Sequence, residues 1–223
     1  MSSTIGIIPT KNTEVTFGEI INLSEKYINS SLNIIQLREK IKLQIHILNY
    51  DEVENKESYH KVDLTNIFEW KKNQLLIFSI KGVSGVIKTD YDVIFDPETS
   101  PDNPWWKLNT YKNETKTVLN LENKLEKAKK INKSWFLYRS DEKDKVINTC
   151  GAIIGASIAE LTSALIYSTD QTWGFGQYFV EKEEFLNFYL RPEKNITTSS
   201  KPEKVINNSS FFNYYLFYVI FFI

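Results

Sequence analysis

Residues 150–168, CGAIIGASIAELTSALIYS, limit the possible folds of this chain more than any other stretch. Val146, Ile147, Cys150, Ile153, Ile154, Ile158 and Leu161 recur every three or four residues, with Ala152, Ala156 and Ala159 beside them. That period predicts a helix with a broad apolar stripe. Gly151 and Gly155 are four apart, so they share a face on which a neighbour's backbone can come close. The same spacing pairs helices in membranes. Here Asp144, Lys145 and Glu160 leave the apolar run short of the ~20 residues needed to span a bilayer. Packing onto a β-sheet is the remaining way to bury the stripe, and SWFLYRS at 134–140 and ALIYS at 164–168 supply strands on either side. The expected unit is strand, helix, strand.

Other segments fill in the sheet. An apolar strand is expected at residues 4–8. Thr16 and Glu19 have the spacing of a capping box before Phe17, Ile20, Ile21, Tyr27, Ile28 and Leu32, which predicts a helix over 17–31. At Ile41 the period changes to two, since Ile41, Leu43, Ile45 and Ile47 alternate with Lys42, Gln44 and His46. Residues 64–73 read as a short helix or turn, and 75–81 with 85–95 as an antiparallel hairpin bounded by Gly85 and a Pro-rich run. The central part therefore reads as a meander, with its sheet open to solvent on one side. Helices are expected at 115–130 and 181–190, the second stopped by Pro192. The fold class is α+β: a central, mostly antiparallel sheet with flanking helices and a C-terminal strand–helix–strand unit.

One domain is expected over 1–192, followed by a polar Lys/Asn/Ser/Thr linker at 193–210 and an apolar tail, FFNYYLFYVIFFI, at 211–223. The tail lacks a period. It reads as sequence of no selected function from a shifted or extended frame, with a final strand or a weak membrane-surface anchor as alternatives. Stable membrane insertion is not expected.

Composition narrows the chemistry. A net charge of −1, from 27 basic and 28 acidic residues, calls for no polyanionic partner, and the basic run at 124–133 carries glutamates on a helical pattern. Nucleic-acid binding is not expected. With one cysteine, Cys150, the chain forms neither an intramolecular disulfide nor a multi-cysteine metal site. That fits a reducing compartment, and residues 1–15 lack the pattern of a secretory signal, so a cytoplasmic location is expected. His46 sits on the polar face of a strand and His60 in a charged loop, while Cys150 falls on an apolar stripe, so no catalytic residue, metal or cofactor is assigned. Asp90 and Asp92 share one face of a strand. They could hold a divalent cation for a hydrolase or transferase, and this is the alternative to a binding role. GFG at 174–176 lacks the third glycine of a dinucleotide fingerprint.

Aromatic residues in loops are the remaining functional feature. Trp105 and Trp106 follow a Pro-rich turn, and Trp173, Phe175 and Tyr178 surround two glycines just after Asp170. Large aromatics on loops offer contact area at low entropic cost. They serve as partner contacts or as plugs at the ends of the sheet. GASIAELTSALIYSTDQTW, followed by EKEEFLNFYLRPE, resembles a C-terminal signature of small bacterial immunity proteins that accompany polymorphic toxins. Ala159, Leu161, Ile166, Tyr167, Asp170 and Trp173 carry the resemblance within about residues 150–192. It implies a non-enzymatic protein that neutralises a cognate toxin by binding it, and it brings no catalytic residues.

Overall fold

The apolar periods described above are satisfied in a computed structural model by one sheet and four helices among the described residues. The structure describes residues 4–32, 39–51, 56–71, 74–92, 118–138, 145–168 and 179–189. In chain order the elements are β1 (Thr4–Ile8), α1 (Phe17–Ser30), β2 (Leu43–Asp51), β3 (Lys56–Lys61), β4 (Gln74–Ile80) and β5 (Val86–Asp92). There follow α2 (Leu121–Ile131), β6 (Ser134–Tyr138), α3 (Lys145–Thr162), β7 (Leu165–Ser168), β8 (Phe179–Val180) and α4 (Lys182–Tyr189).

The strand order is β3-β2-β4-β5-β6-β1-β7-β8, and every neighbouring pair is antiparallel. The strand–helix–strand unit is present as β6, α3 and β7. Its two strands run the same way but are separated by β1, which pairs Gly6 with Phe136 on one side and with Tyr167 on the other.

The core follows from the period-two alternation. Ile5, Ile7, Leu43, Ile45, Leu76, Phe78, Ile80, Ile87, Trp135, Leu137 and Ile166 point to one face and form the main core with α1, α3 and α4. Both helical glycines serve this contact. A Cβ at Gly151 would lie 3.6 Å from Ile87, and one at Gly155 3.5 Å from Ile5 and Ile7, so α3 rests directly on β5 and β1. Cys150 is wholly buried there. Helix α1 begins with the expected capping box, in which the Thr16 side chain accepts from the Glu19 N–H and Glu19 reaches back to the Thr16 N–H. It is tied to β2 by Glu25, which accepts from the Leu43 N–H and from Lys42 Nζ, each at 2.8 Å.

One expectation requires correction. The charged loop in which His60 was expected is instead β3, Lys56–Lys61, which places His60 on a strand. The three strands expected in the central part do lie side by side and antiparallel as β2-β4-β5, but β3 adds itself outside β2, so the chain must return past β2 to reach β4. Residues 62–71 make that return as a strap, and of the helix or turn expected there the structure shows the turn, at 64–65. Its Phe68 N–H donates to Val15, Thr16 bridges Ile67, and Phe68 stands edge-on to Phe17, at 5.3 Å, and to Trp70, at 5.1 Å.

The second face of the sheet is also covered over its β6-β1-β7-β8 half. Val118, Leu121, Leu125 and Ala128 of the α2 region pack on Ile8, Leu165, Tyr167 and Phe179. An amphipathic helix that follows a half-buried strand can close the exposed face, and the strand pattern alone carries no sign of it.

At the β8 side, the segment entering α4 is tied to both helical layers. Glu181 pairs with Lys124 of α2, while Lys182 pairs with Glu160 of α3 at 3.0 Å and lies 5.8 Å over the Tyr27 ring of α1.

Candidate functional site

Strand alternation sends Lys88, Asp90 and Asp92 of β5 to the second face, beside Ser134, Phe136 and Tyr138 of β6. The shared face expected for the two aspartates is observed. Asp90 takes the Tyr91 N–H at 2.7 Å on one oxygen and the Tyr138 hydroxyl at 3.3 Å on the other. Burial, followed by the charges of Asp90 and Asp92 and the hydrogen bond to Asp90, pushes the Tyr138 phenol up to about 12. At neutral pH Tyr138 is therefore a donor to the carboxylate.

The next row inward is aromatic. Phe136 meets Tyr167 at 6.2 Å, and Tyr167 meets Phe179 at 6.0 Å. Gly6 lies between Phe136 and Tyr167 in the register, and a Cβ there would stand 2.3 Å from the Tyr167 ring, so glycine is required. The Tyr167 phenol is raised well above its ordinary value by burial, then by Asp92 and Tyr138.

No imidazole joins this cluster. His46 shares the face but stands level with Lys88, two strands from β5, which is ~10 Å at ordinary strand spacing. His60 faces the opposite side, paired with Ile47. Among the described residues no group of three or more His, Cys, Asp or Glu side chains is placed to hold a metal ion.

Trp105, Trp106, Asp170, Trp173, Phe175 and Tyr178 lie outside the described residues. The structure does describe the elements that flank these segments. β7 ends at Ser168 and β8 begins at Phe179, with Tyr167 opposite Phe179 and Ile166 opposite Val180, so the two ends of residues 169–178 are held side by side. Their supports carry the rest of the resemblance: Ala159, Ile166 and Tyr167 are buried, and Leu161 packs against the core. Residues 93–117, with Trp105 and Trp106, leave β5 at Asp92, the opposite end of the sheet from Ser168. The two aromatic segments therefore start from opposite ends.

One concave feature had no sequence signal. A shallow groove at the β5-exit end is lined by Pro9, Lys11, Ile67, Glu69, Lys133 and Trp135, among others, with Lys133 paired to Glu69. The indole N–H groups of Trp135 and of nearby Trp70 are buried with no hydrogen-bond partner among the described residues. This groove joins the 9–15 loop, the strap and the start of β6, segments far apart in sequence, so no local pattern could have pointed to it. No helix among the described residues is long and apolar enough to cross a membrane.

No family model, no curated protein and no solved structure matches this chain.

Proposed function

We propose that the chain is a non-enzymatic binding protein of immunity type, which neutralises a cognate bacterial toxin in the cytoplasm by direct contact. The observation that carries this reading is the β7–β8 pairing. A rigid, buried support built from α3, β7 and β8 holds the two ends of residues 169–178, the segment that carries Asp170, Trp173, Phe175 and Tyr178. Binding residues are commonly carried on loops that a rigid scaffold positions, and a few desolvated aromatic anchors supply most of the affinity of such contacts. The resemblance in α3 and β7 supports the same reading. Trp105 and Trp106, leaving the other end of the sheet, are the second candidate contact.

Co-expression with the product of the neighbouring gene tests it. Protection from toxicity and a co-purifying complex are expected, and both should weaken when Trp173 or Asp170 is replaced by alanine. Growth arrest that the intact chain does not relieve, together with no complex, would refute the reading.

A further inference from the structure

Strand β3 has a neighbour on one side only among the described residues, and all of its residues except Ser58 are exposed. The outer backbone groups of such a strand form a template for another strand. Its side chains, Lys56, Glu57, Ser58, Tyr59, His60 and Lys61, select which strand fits.

Antiparallel pairing of β3 with a copy of itself has few possible registers. Directly opposed residues of an antiparallel ladder share a face, so a two-fold axis between Ser58 and Tyr59, which would set Lys56 against Lys61 of the other face, is excluded by the pleat. An axis at Ser58 sets Lys56 opposite His60 and gives Glu57 no cation. An axis through Tyr59 sets Glu57 opposite Lys61 twice, Ser58 opposite His60, and the two Tyr59 rings against each other. Glu57, Tyr59 and Lys61 all lie on the second face, so two ion pairs flank one aromatic pair. Tyr59 is 56% exposed, and its hydroxyl donates to Glu57 at 3.3 Å.

We propose that β3 pairs with β3 of a second copy about an axis through Tyr59, joining two sheets edge to edge. A pairing this short buries less than the ~800 Å² per partner of a standard interface, so the association is weak and reversible. It stands independently of toxin binding.

Sedimentation velocity of the full chain tests the idea. A monomer–dimer equilibrium at concentrations on the order of tens of micromolar is expected, weakening as salt is added. Glu57→Lys and Lys61→Glu should each weaken it roughly tenfold, because each turns two attractive pairs into repulsive ones. The double variant Glu57→Lys/Lys61→Glu should recover it. Tyr59→Cys should form an intermolecular disulfide on mild oxidation far faster than His60→Cys, a readout that still decides the matter if a charge variant misfolds. A chain monomeric at every concentration overturns the proposal. So does a dimer that either reversal leaves intact, or a double variant that fails to recover.

Discussion

Strands β8 and β3 end the same sheet at its two sides, and the chain treats them in opposite ways. β8 has two residues, Phe179 and Val180, both wholly buried, and the chain that follows it is tied to α2 through Glu181 and to α1 and α3 through Lys182. β3 is longer, exposed on both faces, and carries charges at both ends. An open edge invites unwanted pairing, which can be suppressed by shortening the strand and covering it or by charging it. The first solution removes the edge. The second keeps the edge and makes it selective, because only a strand with the complementary charge order pairs without repulsion. Burial therefore marks the β8 side as a place where stability is made, and exposure marks the β3 side as a place where contacts can form.

Substitutions should separate the two sides by size of effect. Phe179→Ala empties a filled position beside Tyr167 and should cost about 3–5 kcal/mol in urea denaturation. A loss no greater than that of a surface change would break the comparison. Gly6→Ala comes next, at about 1–3 kcal/mol, since its methyl group meets the Tyr167 ring. Tyr167→Ala in the same chain should relieve part of that loss, and strict additivity of the two would show that they do not touch.

Lys182→Met should cost below about 1 kcal/mol, because the pair with Glu160 is partly exposed. Burial lowers the Lys182 pKa, but hydrogen bonds and charge from Glu160 and Glu183 outweigh it, so the folded value lies above the ordinary 10.5. A raised folded value means that the stabilisation is complete below 10.5 and is lost as pH rises beyond it, so parent and variant should converge in strongly alkaline solution. Smallest of all, Tyr59→Ala on β3 should change monomer stability by less than about 0.5 kcal/mol in thermal unfolding. A loss of 2 kcal/mol or so there would mean that the β3 edge is part of the core after all.

The second face offers a related check. Tyr138 has its phenol raised to about 12 from 10.0, so its contribution to stability is complete below pH 10 and fades toward pH 12. Tyr138→Phe should flatten the alkaline limb of the stability curve in that window.

Legibility followed burial. Helix α3, with an apolar stripe broad enough to cover four strands, was readable to within a residue or two, and so were α1 with its capping box and strands β1, β4, β6 and β7. β3 was not, because a strand buried on neither face has no apolar period to display. The strap at 62–71 was legible only as a short helix or turn for a related reason: Phe68 and Trp70 are buried by their tertiary neighbours Phe17, Tyr91 and Trp135, at no regular spacing. At the candidate site, the alternation that sets Asp90 and Asp92 on one face was legible, but the phenols they meet were not. Tyr138 and Tyr167 reach that face from strands 48 and 77 residues beyond Asp90, as the numbering shows (138 − 90 and 167 − 90).

By itself, then, the sequence determined the elements whose side chains must leave water at a regular period, and it determined the α+β class, because a 3.6 period and a period of two leave few ways to bury both kinds of stripe. Tertiary structure alone decided that β1 would separate β6 from β7, that Gly6 would lie under Tyr167, and that β3 would fall at the edge. Those outcomes depend on which strands are hydrogen-bonded neighbours. Backbone donors and acceptors are the same in every residue except proline, so the choice is made by long-range packing rather than by any local pattern.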